Sequence, residues 1–461
     1  MNETNSDALV LFGATGDLAY KRIFPSLQKL VAHQRLDIPV IGVARAGWDL
    51  EQFRQRVRDS LEKHGGIDEA AFAKLSGLLK YVDGDYRDAA TYAKLREALG
   101  PALRPLHYLA IPPSMFATVA EALSQSGCIS AARVVVEKPF GRDLQSAREL
   151  NRILHQFFPE QSIFRIDHFL GKEPVQNILY TRFANWFLES IWNRDHIRCM
   201  QITMAEDFGV QGRGLFYEEV GAIRDVIQNH LLQVLACLTM DHPRGEDLDA
   251  LRNEQARLLK AVRPLAATDV VRGQFRGYRQ EPGVAPDSNV ETFAALRLFI
   301  DSWRWADVPF YIRAGKSLPA SATEVVVEFK RPPRELFGEM VPGLSNHLRL
   351  RLSPEVVIGL GVRVKLPGER MVGEDVELIA THQRGDEMLP YERLLGDALR
   401  GDAALFARED VVEAQWRIVA PVIGNNTPLY EYQPHTWGPT ESEQLIAGDC
   451  GWFNPQPGSS S

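Results

Sequence analysis

Cysteine is scarce in this 461-residue chain: there are four, at 128, 199, 237 and 450, with no C-x-x-C pair and no histidine clustered beside them. That spacing predicts no disulfide framework and argues against a cysteine-framed zinc site. Long apolar runs are missing too, none approaching the roughly 18 residues that span a bilayer. The opening residues, MNETNSDALV, lack a basic stretch followed by an apolar one, so no secretory signal is expected. Nor is there an excess of positive charge, since 52 Lys and Arg stand against 60 Asp and Glu, a formal charge of −8. Binding to nucleic acid or to an anionic membrane surface is thereby disfavoured. An anionic ligand would have to be held by local cations and helix N-termini. The expectation is a cytoplasmic globular protein, and the length predicts two or three domains.

What is present has a clear order. Four near-continuous apolar runs, Ala8–Gly13, Ile38–Ala44, Leu106–Ile111 and Ala132–Pro139, read as buried parallel strands bounded by Gly or Pro. Amphipathic stretches lie between them, such as WDLEQFRQRVRDSLEKHG with Phe53, Val57 and Leu61 on one face. This β-α-β alternation predicts an α/β doubly wound parallel sheet of the Rossmann type, ending near Ile163–His168. The remainder changes character. ETFAALRLFI, RWADVPFYIRAG, TEVVVEFK, NHLRLRLSPEVVIGLGVRV and VELIATHQ are strand-like runs joined by turn-sized segments, flanked by helical stretches at Glu218–Met240 and Pro390–Leu399. They predict a second, α+β domain with a large, mostly antiparallel sheet. The tail PQPGSSS reads as disordered.

The first apolar run leads into GATGDLA, which places Gly13, Gly16 and Ala19 at G-x-x-G-x-x-A spacing. Gly13 allows a tight turn, Gly16 lets a pyrophosphate approach the backbone, and Ala19 lets the next helix pack closely. A short glycine pattern is weak evidence alone. Its place between a buried strand and a helix points to a dinucleotide. At the end of the second strand, GVARAG offers Arg45 where an NAD-preferring site carries an acid. A guanidinium suits a 2′-phosphate, so NADP is favoured, with NAD a secondary coenzyme because Ala46 and Gly47 add no second cation.

Ionisable residues crowd three further places. FRIDHFLGKEPVQNIL puts Asp167, His168 and Lys172 within six positions. VVVEKPFGRD places Lys138 and Pro139, a candidate cis bond, at the carboxyl end of a strand. GAIRDVIQNHLLQVL sets Asp225 and His230 in an otherwise apolar helix. Five residues apart is about 140° around an α-helix, so these two are expected not to share a face.

Along nearly the full chain, GATGDLA, LAIPPSMF, EKPFGRDL, FRIDHFLGKEPVQNIL, GAIRDVIQNHLLQ, VPFYIRAGKSL and YERLLGDAL resemble the glucose-6-phosphate dehydrogenase family. The resemblance implies oxidation of glucose 6-phosphate to the 1,5-lactone with reduction of NADP, in a homodimer or dimer of dimers. The corresponding domains are 1–168 for NADP and 169–461 for substrate binding and dimerisation. His230 would be the general base on the carbon-1 hydroxyl, and Asp167 the carboxylate that orients it. His168 and Lys172 match the phosphate-holding residues; Glu206, Asp225 and Lys316 match further substrate contacts. On the coenzyme side the match covers Gly13, Thr15, Gly16, Asp17, Leu18, Arg45, Asp85, Tyr86 and Lys138. An imidazole near its ordinary pKa of about 6.5 suits the proton transfer at neutral pH, and no metal is expected because no carbonyl needs polarising.

Three positions depart from the family pattern. Arg22 stands where Lys is usual, Phe169 replaces a Tyr, and SLPASATEV after Lys316 lacks a second cation. The expectation is a weakened hold on the substrate phosphate with chemistry intact. A dehydrogenase of another sugar or sugar phosphate is the alternative reading. It predicts loss of the phosphate-binding pair, yet His168 and Lys172 are both present.

Overall fold

The computed structural model describes residues 5–245, 249–334, 337, 346–381 and 388–457. The chain forms two compact units: Met1–Glu173 with Arg244–Asn253 and Glu387–Glu413, and Pro174–Pro243 with Glu254–Asp386 and Ala414–Ser461.

The first unit is built on six parallel strands: β1 (Ala8–Phe12), β2 (Val40–Ala44), β3 (Leu79–Asp83), β4 (Pro105–Leu109), β5 (Arg133–Glu137) and β6 (Ile163–Ile166). Their order is β3-β2-β1-β4-β5-β6, which reverses direction at β1 and so opens a crevice at the carboxyl ends of β1 and β4. Every residue of β1, β2 and β4 is buried, as the continuous apolar runs require. The helix Leu50–Lys63 starts at Asp49, whose side chain and that of Gln52 cap each other's amides, and it buries Phe53, Val57 and Leu61. The unit also takes back Arg244–Asn253 and Glu387–Glu413, which a single cut after residue 168 assigns to the second domain. The reason is apolar: Leu394, Leu395, Ala398 and Leu399 of the helix Pro390–Arg400 join the core beside Leu27 and Leu30 of the helix Phe24–Ala32.

The second unit carries a nine-stranded sheet of β7 (Ile197–Ala205), β8 (Val270–Phe275), β9 (Phe293–Leu298), β10 (Phe310–Gly315), β11 (Ala322–Phe329), β12 (His347–Ser353), β13 (Val357–Lys365), β14 (Gly373–Thr381) and β15 (Leu429–Tyr432). The order is β14-β13-β12-β11-β7-β10-β9-β8-β15. All pairings are antiparallel except β7 with β10 and β8 with β15. The last two residues of the run VELIATHQ, and 458–461 of the tail, lie outside the described residues.

One expectation fails here. Cys199 on β7 is bridged to Cys450, 251 residues later, so a disulfide is present. Sequence spacing could not reveal it, because the contact is made by the carboxyl-terminal segment returning along the sheet. There Gln201 bonds both ways, its Nε2 donating to the Gly451 carbonyl at 2.9 Å and its Oε1 accepting from the Phe453 amide at 2.8 Å. Arg313 donates to Asn454 Oδ1 at 2.7 Å, and its guanidinium lies over the rings of Trp437 and Trp452. Among the described residues no helix is long and apolar enough to cross a membrane.

Candidate active site

In the first unit, β1 delivers the chain into the Gly13–Ala19 loop. Gly13 has φ +79°, and a Cβ there would lie 2.1 Å from the Ala110 carbonyl oxygen, so no other residue fits. Tyr86 braces this turn: its hydroxyl accepts from the Gly13 amide at 2.9 Å and donates to the Val43 carbonyl at 3.2 Å. The loop then runs straight into a helix, with Gly16 and Asp17 exposed and Ala19 fully buried. The Asp17 and Leu18 amides thus fall where a helix start leaves donors for an anion, and Thr15 lies in the turn just before them. The small residues and this helix start fit a pyrophosphate.

Arg45 follows β2 with its side chain 77% exposed, and its Nη1 donates to Asp85 Oδ2 at 2.8 Å. The Arg87 amide and Arg45 together hold the Asp85 carboxyl below its ordinary pKa. Asp83, which the sequence reading missed, anchors the Arg45 loop by accepting from the Ala46 and Gly47 amides at 3.0 and 2.7 Å. An acid on the last position of a strand, just before Gly84, was the available signal. Lys138 follows β5, and the Lys138–Pro139 bond is cis.

After β6 the chain turns through Asp167–Lys172. Asp167 is buried, and its Oδ1 accepts from the Phe169 amide at 2.9 Å while its carbonyl accepts from the Leu170 amide at 3.0 Å. One carboxylate oxygen therefore caps the turn. His168 is half-buried, with the Phe169 ring edge-on at 5.5 Å. Phe169, the doubtful replacement for Tyr, is buried, and the Lys172 ammonium lies 3.7 Å from its ring centroid. The ring lost a hydroxyl and kept a role: its face positions the cation.

In the second unit, Glu206 directly follows β7 and Lys316 directly follows β10, two parallel neighbours, so their side chains form an ion pair. The Lys316 amide donates to the Thr292 carbonyl at 2.9 Å and its carbonyl accepts from the Tyr432 hydroxyl at 2.6 Å. Tyr217, also missed from sequence, packs under the Lys316 ammonium at 5.6 Å. Burial, followed by the charges of Asp225 and Glu206, pushes its hydroxyl well above the ordinary value. Glu206, Lys316 and Tyr217 are therefore neighbours, with the Asp225 charge close enough to be felt at Tyr217.

The helix bearing Asp225 and His230 corrects an expectation. Ile223–Leu231 is a π-helix, not an α-helix. Bonding from residue i to i+5 brings residues five apart to neighbouring positions one turn on, so Asp225 and His230 share a face instead of diverging by about 140°. The preceding kink explains the start. Gly221 has φ +60°, where a Cβ would meet the Glu291 carboxylate at 2.5 Å, and Glu291 Oε1 accepts from the Ile223 amide at 3.2 Å. Glu291 is held in turn by buried Arg272 at 3.2 Å. His230 is 2% exposed and Asp225 half-buried, so the imidazole has little water around it.

Residues 10–177 match the profile of the glucose-6-phosphate dehydrogenase NAD binding domain, and 179–453 that of the glucose-6-phosphate dehydrogenase C-terminal domain. The chain is 45% identical over 454 residues to glucose-6-phosphate 1-dehydrogenase 1 of Mycobacterium tuberculosis, covering 98% of this chain and 97% of that one. Among solved structures, the enzyme of that name from Mycobacterium avium superposes with a TM-score of 0.92 at 44% identity, over 98% of this chain and 99% of that one. A glucose-6-phosphate dehydrogenase in complex with its substrate glucose 6-phosphate superposes at 0.90 with 34% identity, over 99% and 100%.

Proposed function

This chain belongs to the glucose-6-phosphate dehydrogenase family, its activity is accordingly the oxidation of glucose 6-phosphate at carbon 1 by a nicotinamide coenzyme, and we propose the division of labour by which its own residues do this. The coenzyme is NADP, with NAD secondary. The observation that carries this reading is Arg45, an exposed guanidinium at the end of β2 on a loop anchored by Asp83. The glycine loop and the amides of Thr15, Asp17 and Leu18 hold the pyrophosphate, Tyr86 keeps that loop in shape, and Lys138 lies between coenzyme and substrate.

His230 takes the proton from the carbon-1 hydroxyl, and the Asp167 carboxylate stabilises the positive charge this creates. Bound nicotinamide supplies the hydride acceptor. His168 and Lys172 hold the phosphate, which anchors the sugar far from the reacting carbon. Glu206, Asp225 and Lys316 bond the sugar hydroxyls; the shared face of Asp225 and His230 supports placing a hydroxyl-binding carboxylate next to the base.

The protein acts in the cytoplasm as a homodimer or dimer of dimers. Support for self-association comes from the outer strands of the large sheet, where Leu360, Leu378 and Ile379 are 40%, 61% and 58% exposed. Rates with NADP and NAD, on glucose 6-phosphate and on free glucose, test the whole reading. NADP with the phosphorylated sugar should give the highest kcat/KM. Comparable values on free glucose would refute phosphate anchoring, and equal values with the two coenzymes would refute the role given to Arg45.

A further inference from the structure

Two of the motifs that carry the family resemblance, EKPFGRDL and YERLLGDAL, begin with residues that no step above uses: Glu137 and Tyr391. The first unit brings them together. Glu137 is the last residue of β5, and Tyr391 lies in the first turn of the helix Pro390–Arg400. The Glu137 carboxyl accepts from Tyr108, a fully buried residue of β4, and from Tyr391. The other side of Tyr391 faces the substrate-binding turn. Its ring lies parallel to the His168 imidazole, 10° between planes and 6.4 Å between centroids. His168 is thereby flanked by two rings, Phe169 edge-on and Tyr391 parallel.

We propose that Glu137 and Tyr391 are positioning residues for substrate binding, which hold the His168 imidazole in the orientation that receives the substrate phosphate. His168 sits on a turn, not on a helix or strand, so its backbone alone does not fix the ring. A parallel ring alongside restricts it, but only if that ring is itself fixed. The tyrosine hydroxyl bonded to Glu137 does this, and Tyr108 fixes Glu137 from within the sheet. A carboxyl is suited to the place because it can accept from two hydroxyls at once.

The charges around the pair are consistent with a held group. Burial pushes the Glu137 carboxyl up to about 7, against the pull of both tyrosine hydroxyls and of Lys138, while Asp167 adds to the rise. Burial raises the Tyr391 hydroxyl pKa most, the Glu137 and Asp167 charges add to the rise, and the Arg22 charge opposes it. Arg22, the residue standing where the family has Lys, is thus close enough for its charge to be felt at Tyr391.

The inference rests on His168 as a phosphate contact, so the test is a double-mutant cycle in the full-length enzyme, reading KM for glucose 6-phosphate and kcat separately. Tyr391→Phe removes the hydroxyl and keeps the ring. It should raise KM about fivefold, the loss of one hydrogen bond, with kcat and KM for NADP within about twofold. In a His168→Asn background the same change should raise KM no further, because its effect passes through the imidazole. Glu137→Gln, which leaves both rings in place, gives a second entry to the cycle with the same non-additive outcome. An equal rise in both backgrounds, an unchanged KM, or a fall in kcat alone would overturn the proposal. If His168→Asn alone leaves KM unchanged, the phosphate reading of His168 fails instead, which separates the two claims.

Discussion

Replacing Arg45 should change which coenzyme the enzyme prefers without touching its chemistry. In the structure its guanidinium already has a partner, Asp85, at 2.8 Å, so an incoming 2′-phosphate must compete with a carboxylate. Exposed ion pairs of this kind contribute little, and the Arg45 side chain is 77% exposed. A charge-assisted hydrogen bond to phosphate is worth about 1.5–3 kcal/mol, or roughly 10- to 150-fold. Release of Asp85 takes part of that, leaving about tenfold for Arg45→Ala in kcat/KM with NADP, and about none with NAD. Asp85→Asn acts with the opposite sign. It removes both the competitor and a negative charge beside the phosphate, so the NADP-to-NAD ratio should rise up to about fivefold. Added salt should shrink both effects, since both groups face solvent. The assay is initial rate against coenzyme concentration at saturating glucose 6-phosphate, at low and high ionic strength. A parallel loss with both coenzymes on Arg45→Ala would refute the reasoning, as would a shift toward NAD on Asp85→Asn.

Gly13→Ala should raise KM for coenzyme at least about tenfold, because the new methyl meets the Ala110 carbonyl oxygen and a positive φ is strained for alanine; an unchanged KM would show that the loop tolerates a side chain. Buried His107 predicts acid sensitivity. Burial lowers its pKa from 6.5 to about 4, so it stays neutral in the folded state, with Nε2 2.7 Å from the Cys128 carbonyl. Its contribution is complete above pH 6.5 and is lost as pH falls from there through about 4, on the order of 3 kcal/mol. Denaturant midpoints of His107→Gln should therefore fall less on acidification than those of the wild type; identical pH dependence would count against it. On the large sheet, Leu378→Glu combined with Ile379→Glu should shift sedimentation toward monomer, and an unchanged oligomer would place the contact elsewhere.

The strands that bury both faces were legible because burial leaves continuous apolar runs, as in Ala8–Phe12 and Val40–Ala44. The strand Leu79–Asp83 was not, since Lys80 is exposed and its run is interrupted by charge. Nor was Ile197–Ala205, where Arg198 and Gln201 contact the carboxyl-terminal segment and look like surface residues until that segment is in place. Local periodicity says nothing about a partner 251 residues away, which hid the Cys199–Cys450 bridge, and the return of Pro390–Arg400 to the first unit was hidden similarly. At the site, residue types and motif order marked Asp167, His168, Lys172 and His230. The π-helical winding at Ile223–Leu231 was invisible, because it depends on the break at Gly221 and on Glu291 meeting the next turn. Supporting residues were also out of reach: Asp83, Tyr217 and Glu291 act through neighbours that only the fold supplies.

The central claim is that His230 is the base in the oxidation of glucose 6-phosphate, and one measurement bears on it most directly. His230→Asn keeps a polar side chain of similar shape without a group that can take up the proton. NADPH formation from glucose 6-phosphate should fall at least about 100-fold in kcat, with the dissociation constants of substrate and coenzyme changed no more than a few-fold. A variant that turns over near the wild-type rate would contradict the assignment, and a loss explained wholly by weaker binding would do the same.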